Sequence, residues 1–142
     1  PPLPPEKPPP FYLMCTTALG HDVATLPSEA KTLGLQFDES TRVGRQHQAG
    51  LFENLLSQGQ GTQYLCCVSR SHFEVTPLPR EAPGCFQITN HSPNPIVLCC
   101  GDEGLENRLE QGQKGLIRPG YFINFIAAGN REAHVTFLRF GL

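Results

Sequence analysis

Residues 115–126 read GLIRPGYFINFI, and residues 134–140 read HVTFLRF. Gly115 to Ile117 form a short apolar run. Arg118-Pro119-Gly120 then carries the signature of a type II turn, because proline presets φ at the second position and glycine accepts positive φ at the third. Residues 121–126 resume as an aromatic and β-branched strand. Residues 134–140 are apolar on both faces, which predicts a strand in the packed centre of a sheet. Working back along the chain, the same short β-type runs recur at 11–17, 41–43, 64–68, 72–75, 85–89 and 96–100. Leu33, Leu35 and Phe37 alternate with polar neighbours, the period of a half-buried strand. Many short strands with frequent turns predict a sandwich or barrel of antiparallel sheets. One stretch breaks this rhythm. Residues 48–57, QAGLFENLLS, place Leu51 with Leu55 and Phe52 with Leu56 at i, i+4 spacing, which predicts a short amphipathic helix.

The bulk numbers exclude several classes of function. With 142 residues the chain is one domain, or a slightly smaller one with a tail. Residues 1–10, PPLPPEKPPP, are expected to form an extended polyproline linker, with a docking site for a proline-binding module as the alternative. They lack the apolar core of a signal peptide. The domain is expected to occupy 11–142. Eleven Lys and Arg against thirteen Asp and Glu leave a formal charge of −2, so no broad basic footprint for nucleic acid exists. No apolar run approaches the ~18 residues of a membrane span. An intracellular address, cytoplasmic or nuclear, is the expectation.

The six cysteines are Cys15, Cys66, Cys67, Cys85, Cys99 and Cys100. They contain no C-x-x-C, and adjacent strand residues point to opposite faces, so each pair is a poor chelator. They read as small buried apolar side chains in a reducing compartment, with disulfides and metal as the alternatives. No phosphate-loop motif of glycines and lysine is present, and no metal or other cofactor is expected.

Three loops at strand ends hold polar residues that a plain sandwich does not need. In Val43-Gly44-Arg45 the glycine permits a sharp turn, and the guanidinium of Arg45 offers a planar fork of donors suited to phosphate oxygens. In Val68-Ser69-Arg70-Ser71-His72-Phe73, Ser69 adds a hydroxyl, Arg70 a second cation, and His72 two ring nitrogens able to pin a loop. A Ser69–His72 nucleophile and base would need an orienting acid and a strand-turn-helix elbow. Neither is legible, so no enzyme activity is expected. In Asn90-His91-Ser92-Pro93-Asn94-Pro95, asparagine can both donate to and accept from a peptide backbone.

Taken in order, Gly-Arg, then Ser-x-x-His, then Ser-x-Asn at successive strand boundaries resembles the forkhead-associated (FHA) domain over roughly residues 11–142. Residues 116–123, together with Arg108-Leu109, look like that family's closing hairpin. The resemblance implies an all-β, antiparallel sandwich of about eleven strands that binds phosphothreonine segments of partner proteins in signalling. It implies that Arg45 and Ser69 contact the phosphate, with Arg70 assisting, and that Asn94 holds the peptide backbone. It implies that Gly44 and His72 shape the loops and that Ser92 braces the third. Pro95 and Ile96 stand where the family has Gly and usually Thr. They favour an alternative: the same scaffold with a degenerate phosphate site, used for phosphate-independent docking or for a homodimer through residues 48–57.

Overall fold

The computed structural model describes residues 11–36, 38–57, 59–78, 84–101, 105–128 and 134–142. Phe37 and the proline-rich residues 1–10, both assigned roles from the sequence, lie outside the described residues. The strands are β1 (Phe11–Ala18), β2 (Thr32–Leu35), β3 (Thr41–Val43), β4 (Phe73–Pro77), β5 (Phe86–Asn90), β6 (Ile96–Cys100), β7 (Leu105–Leu109), β8 (Lys114–Ile117), β9 (Phe122–Ala128) and β10 (His134–Gly141). They form an all-β sandwich of two antiparallel sheets. One runs β2-β1-β10-β9-β6-β7 and the other β3-β4-β5-β8. Ten strands are thus seen among the described residues, against the eleven or so that the resemblance implied.

The core forms where the two inner faces meet. Leu33 and Leu35 of β2 are both buried, as their alternation predicts, and Phe137, Leu138 and Phe140 place β10 inside the larger sheet between β1 and β9. Phe125 on β9 is the hub. Its ring lies 5.5 Å from Phe73 of the opposite sheet, 5.7 Å from Phe140 and 4.8 Å from the His72 ring. Phe52 closes the same cluster from the helix, 5.7 Å away. Removing a buried ring of this kind costs about 3–5 kcal/mol.

Four sequence expectations change. The helix α1 spans only Leu51–Leu55, entered through Gly50 at φ +83°. Phe52, Leu55 and Leu56 are fully buried in the main core. Leu51, the remaining apolar residue of the predicted helical face, is half-buried against them. Residues 64–68 are not a strand. A 3₁₀ helix covers Gly59–Cys67, with Tyr64 stacked on Phe137 at 5.3 Å. Residues 116–123 are not a hairpin either: β8 pairs with β5, while β9 pairs with β6 and β10. The turn itself forms as expected, with the Tyr121 N–H donating to the Arg118 carbonyl at 3.0 Å and Gly120 at φ +93°, but it carries the chain from one sheet to the other. Finally, Cys15, Cys85 and Cys99 are buried, whereas Cys66 is exposed.

The strand registers give the sandwich two distinct ends. At one, β3 leads out at Val43, β4 enters at Phe73, β5 leaves at Asn90 and β6 enters at Ile96. At the other, β1 begins beside the end of β10, with Met14 opposite Gly141. There Leu142 exchanges backbone hydrogen bonds with Gly120 and Tyr121 at 3.1 and 3.0 Å.

Candidate functional site

All three sequence-selected loops lie at the first end, and backbone contacts lock them together. Gly44 is needed for close approach rather than for its dihedral freedom, since it is not among the positive-φ glycines. A Cβ there would collide with the Arg70 carbonyl oxygen and come within 2.9 Å of the His72 nitrogen. The chain past Gly44 closes a helical turn, with the His47 and Gln48 N–H groups donating to the Gly44 carbonyl at 3.0 and 3.1 Å. Gln48 then reaches back. Its Oε1 accepts the Gly44 N–H at 2.9 Å, and its Nε2 donates to the Arg42 carbonyl at 2.8 Å.

This turn aims Arg45 at the second loop. The Arg45 N–H donates to the Ser69 carbonyl at 3.1 Å, the Gln46 N–H to the Arg70 carbonyl at 3.0 Å, and Arg45 Nε to the Val68 carbonyl at 2.6 Å. Arg45, Gln46 and Arg70 together line an open hollow of about 410 Å³. The ion pairs among the described residues are His91–Glu74 and Arg108–Glu110, so neither guanidinium at the hollow has a carboxylate partner there. Two neighbouring cations without a counter-charge favour an anion between them.

His72 ties the second loop to both others. Its N–H donates to the Val43 carbonyl at 2.7 Å, and its carbonyl accepts from the His91 and Ser92 N–H groups at 2.9 and 3.0 Å. The ring is almost wholly buried, and its Nδ1 accepts the backbone N–H of Ser69 at 3.0 Å. Nδ1 is therefore unprotonated. Burial pushes the imidazole pKa down from 6.5 to about 4, so the ring is neutral near pH 7. Of the two ring nitrogens expected to pin loops, only this one does so, and Nε2 is buried without a hydrogen-bond partner among the described residues. The imidazole thus meets the backbone of Ser69 and not its hydroxyl, which removes the geometry of a nucleophile–base pair.

The Ser69 hydroxyl instead faces the third loop, with its Oγ 2.6 Å from Ser92 Oγ. Ser92 is fully buried and its Oγ already accepts the Asn94 N–H at 3.0 Å. Either hydroxyl can be the donor of this short bond, which ties the second loop to the third.

Asn94 uses one side of its amide within the protein. Its Nδ2 donates to the Cys67 carbonyl at 2.9 Å, clamping the third loop onto the second. Sequence reasoning did not single out Asn90, which is fully buried and organises the third loop. Its Oδ1 accepts the Ser92 N–H at 3.0 Å, and its Nδ2 donates to the Asn94 and Leu109 carbonyls at 3.2 and 2.9 Å. It also draws in the β7–β8 turn, whose Gly112 N–H donates to its carbonyl at 2.6 Å. Gln48 was missed as well, because no local pattern marks a glutamine whose side chain serves backbone groups four and six residues back.

The end of the sandwich therefore presents two guanidiniums with no carboxylate partner among the described residues, above loops locked together by hydrogen bonds. Comparison with protein-family models, with curated proteins and with solved structures finds no match to this chain.

Proposed function

We propose that this chain is an FHA-type domain that binds phosphothreonine-containing segments of partner proteins in signalling. The observation that carries the reading is the pair of guanidiniums, Arg45 and Arg70, around one hollow with no carboxylate partner among the described residues. Phosphate brings a charge of about −1.5 to −2 and three acceptor oxygens. Arg45 supplies its terminal nitrogens, held in place because Nε is anchored on Val68. Arg70 supplies a second cation, and Ser69, whose hydroxyl is shared with Ser92, stands in the loop beside them. Arginine clusters are a recurrent mode of phosphopeptide capture, FHA domains among them. The Asn94 side chain keeps its Oδ1 to accept from a bound backbone while Nδ2 stays on Cys67.

The test is a fluorescence-polarisation titration with paired phosphothreonine and threonine peptides of diverse flanking sequence. Binding in the micromolar range corresponds to about 8 kcal/mol. Each charge-assisted hydrogen bond contributes on the order of 1.5–3 kcal/mol. Arg45→Glu removes two or more of them and adds repulsion, so the phosphopeptide affinity is expected to fall by more than about a hundredfold. Equal binding of both peptide forms across the library would end the proposal.

A further inference from the structure

The fold treats its two adjacent cysteine pairs differently. Cys99 and Cys100 stand on β6, where neighbours face opposite sides of the sheet. Cys99 is buried there, with Asn124 Nδ2 3.3 Å from its sulfur. Cys66 and Cys67 instead close the 3₁₀ helix, where successive side chains fan out by about 120° rather than to opposite faces. Cys66 is exposed and Cys67 half-buried. Burial pushes the Cys67 thiol up, and the neighbouring Cys66 thiol adds to the effect.

The backbone that follows this pair holds the candidate site. The Cys67 carbonyl accepts Asn94 Nδ2 at 2.9 Å, the Val68 carbonyl accepts Arg45 Nε at 2.6 Å, and the Ser69 carbonyl accepts the Arg45 N–H at 3.1 Å. Three consecutive carbonyls thus fix one phosphate-facing residue and the clamp between two loops. Their directions depend on the dihedrals of residues 66 and 67.

We propose that Cys66 and Cys67 form a reversible oxidation site, and that a vicinal disulfide between them releases the Arg45 and Asn94 contacts and weakens anion binding. The consequence for binding rests on the phosphothreonine reading; the modification itself does not. The co-reactant is a hydroperoxide. The exposed Cys66 thiolate attacks the peroxide, forming an S–O bond as the O–O bond breaks, and an alcohol or water leaves with a proton. The Cys67 sulfur then attacks that sulfenic acid. An S–S bond forms, the S–O bond breaks, and water leaves with the Cys67 proton. The sulfur pair loses two electrons and the peroxide gains them. Adjacent Cα atoms lie about 3.8 Å apart, below the roughly 4.4–6.8 Å usual for a disulfide. Closure therefore requires the helical backbone at 66–67 to rotate, and that rotation moves the carbonyls. Strained, exposed disulfides of this kind are readily reduced, as a switch requires.

The test treats the full chain with hydrogen peroxide and then with dithiothreitol. Three readouts are taken: intact mass with peptide mapping, hydrogen exchange of the segment containing Arg45, and phosphothreonine-peptide affinity. The expected result is a loss of about 2 Da mapped to the peptide that contains Cys66 and Cys67. Faster exchange at Arg45 and at least about tenfold weaker binding should accompany it. All three should revert with dithiothreitol and be absent in Cys66→Ser, a change at an exposed position. No mass loss, a loss mapped to other cysteines, or unchanged Arg45 exchange in the oxidised protein would overturn the proposal. Altered exchange in a protein whose reduced form ignores phosphorylation would instead sink the phosphothreonine reading and leave the modification site standing.

Discussion

Lowering the pH from about 7 to about 5 is expected to weaken the fold by about 2 kcal/mol through His72 alone. The ring packs 4.8 Å from Phe125, its Nδ1 accepts the Ser69 N–H, and burial lowers its pKa from 6.5 to about 4. Above pH 6.5 both folded and unfolded chains carry a neutral imidazole, and the full stability is present. As the pH falls below 6.5, the unfolded chain takes up a proton that the folded chain refuses until about pH 4. Stability should therefore drop by about 1.4 kcal/mol per pH unit through this one group, reaching a total of about 3 kcal/mol near pH 4. The clean window is pH 6.5 to 5, above the titration of most carboxylates. The chain has no tryptophan, so urea denaturation followed by circular dichroism is the appropriate assay. The control is His72→Asn, whose Oδ1 can still accept from Ser69 but which does not titrate. This variant should be less stable at every pH, and its stability should change less steeply across the window. If wild type and His72→Asn lose stability in parallel between pH 6.5 and 5, the assignment of a buried neutral imidazole is wrong.

Two further perturbations probe the loops. Gly44→Ala forces a methyl against the Arg70 carbonyl and the His72 nitrogen, so the first and second loops must separate; a loss of about 1–3 kcal/mol in thermal or urea unfolding is expected, together with weaker phosphopeptide binding. Ser92→Ala removes the acceptor of the Asn94 N–H and the hydroxyl bonded to Ser69. It should cost about 1–3 kcal/mol in urea unfolding, and a wild-type midpoint would contradict a role for Ser92 in joining the second and third loops.

What the sequence discloses here is what neighbouring residues decide. β3 and β6 fall where their β-branched runs place them, and the Pro119-Gly120 turn forms because those two residues carry its dihedrals themselves. The segment at 64–68 was misread because Tyr-Leu-Cys-Cys-Val has strand-like composition. Tyr64, Leu65 and Val68 are instead spaced for a helical turn that packs on Phe137, and tertiary packing overrides propensity. β7 escaped because it is an edge strand with four of its five residues exposed, so it has no alternation to show. At the candidate site, Arg45 and Arg70, chosen from separate motifs, line one hollow, and Ser69 is not among the residues lining it. Gly44 was legible as a residue that shapes the loops, but the backbone groups that Asn90 and Asn94 hold were not, since these depend on which distant group comes within reach.

The exchange of hydrogen bonds between Leu142 and the 118–121 turn, with Phe11 starting alongside, has a practical consequence. The five-residue strands β4 and β5 separate the two ends by about 15 Å, so both ends of the folded unit leave it on the side away from the binding loops. A tether, label or neighbouring module joined at either side stands behind the domain relative to an approaching ligand. The protein can be anchored to a sensor surface, or strung in tandem, with its recognition loops facing outward.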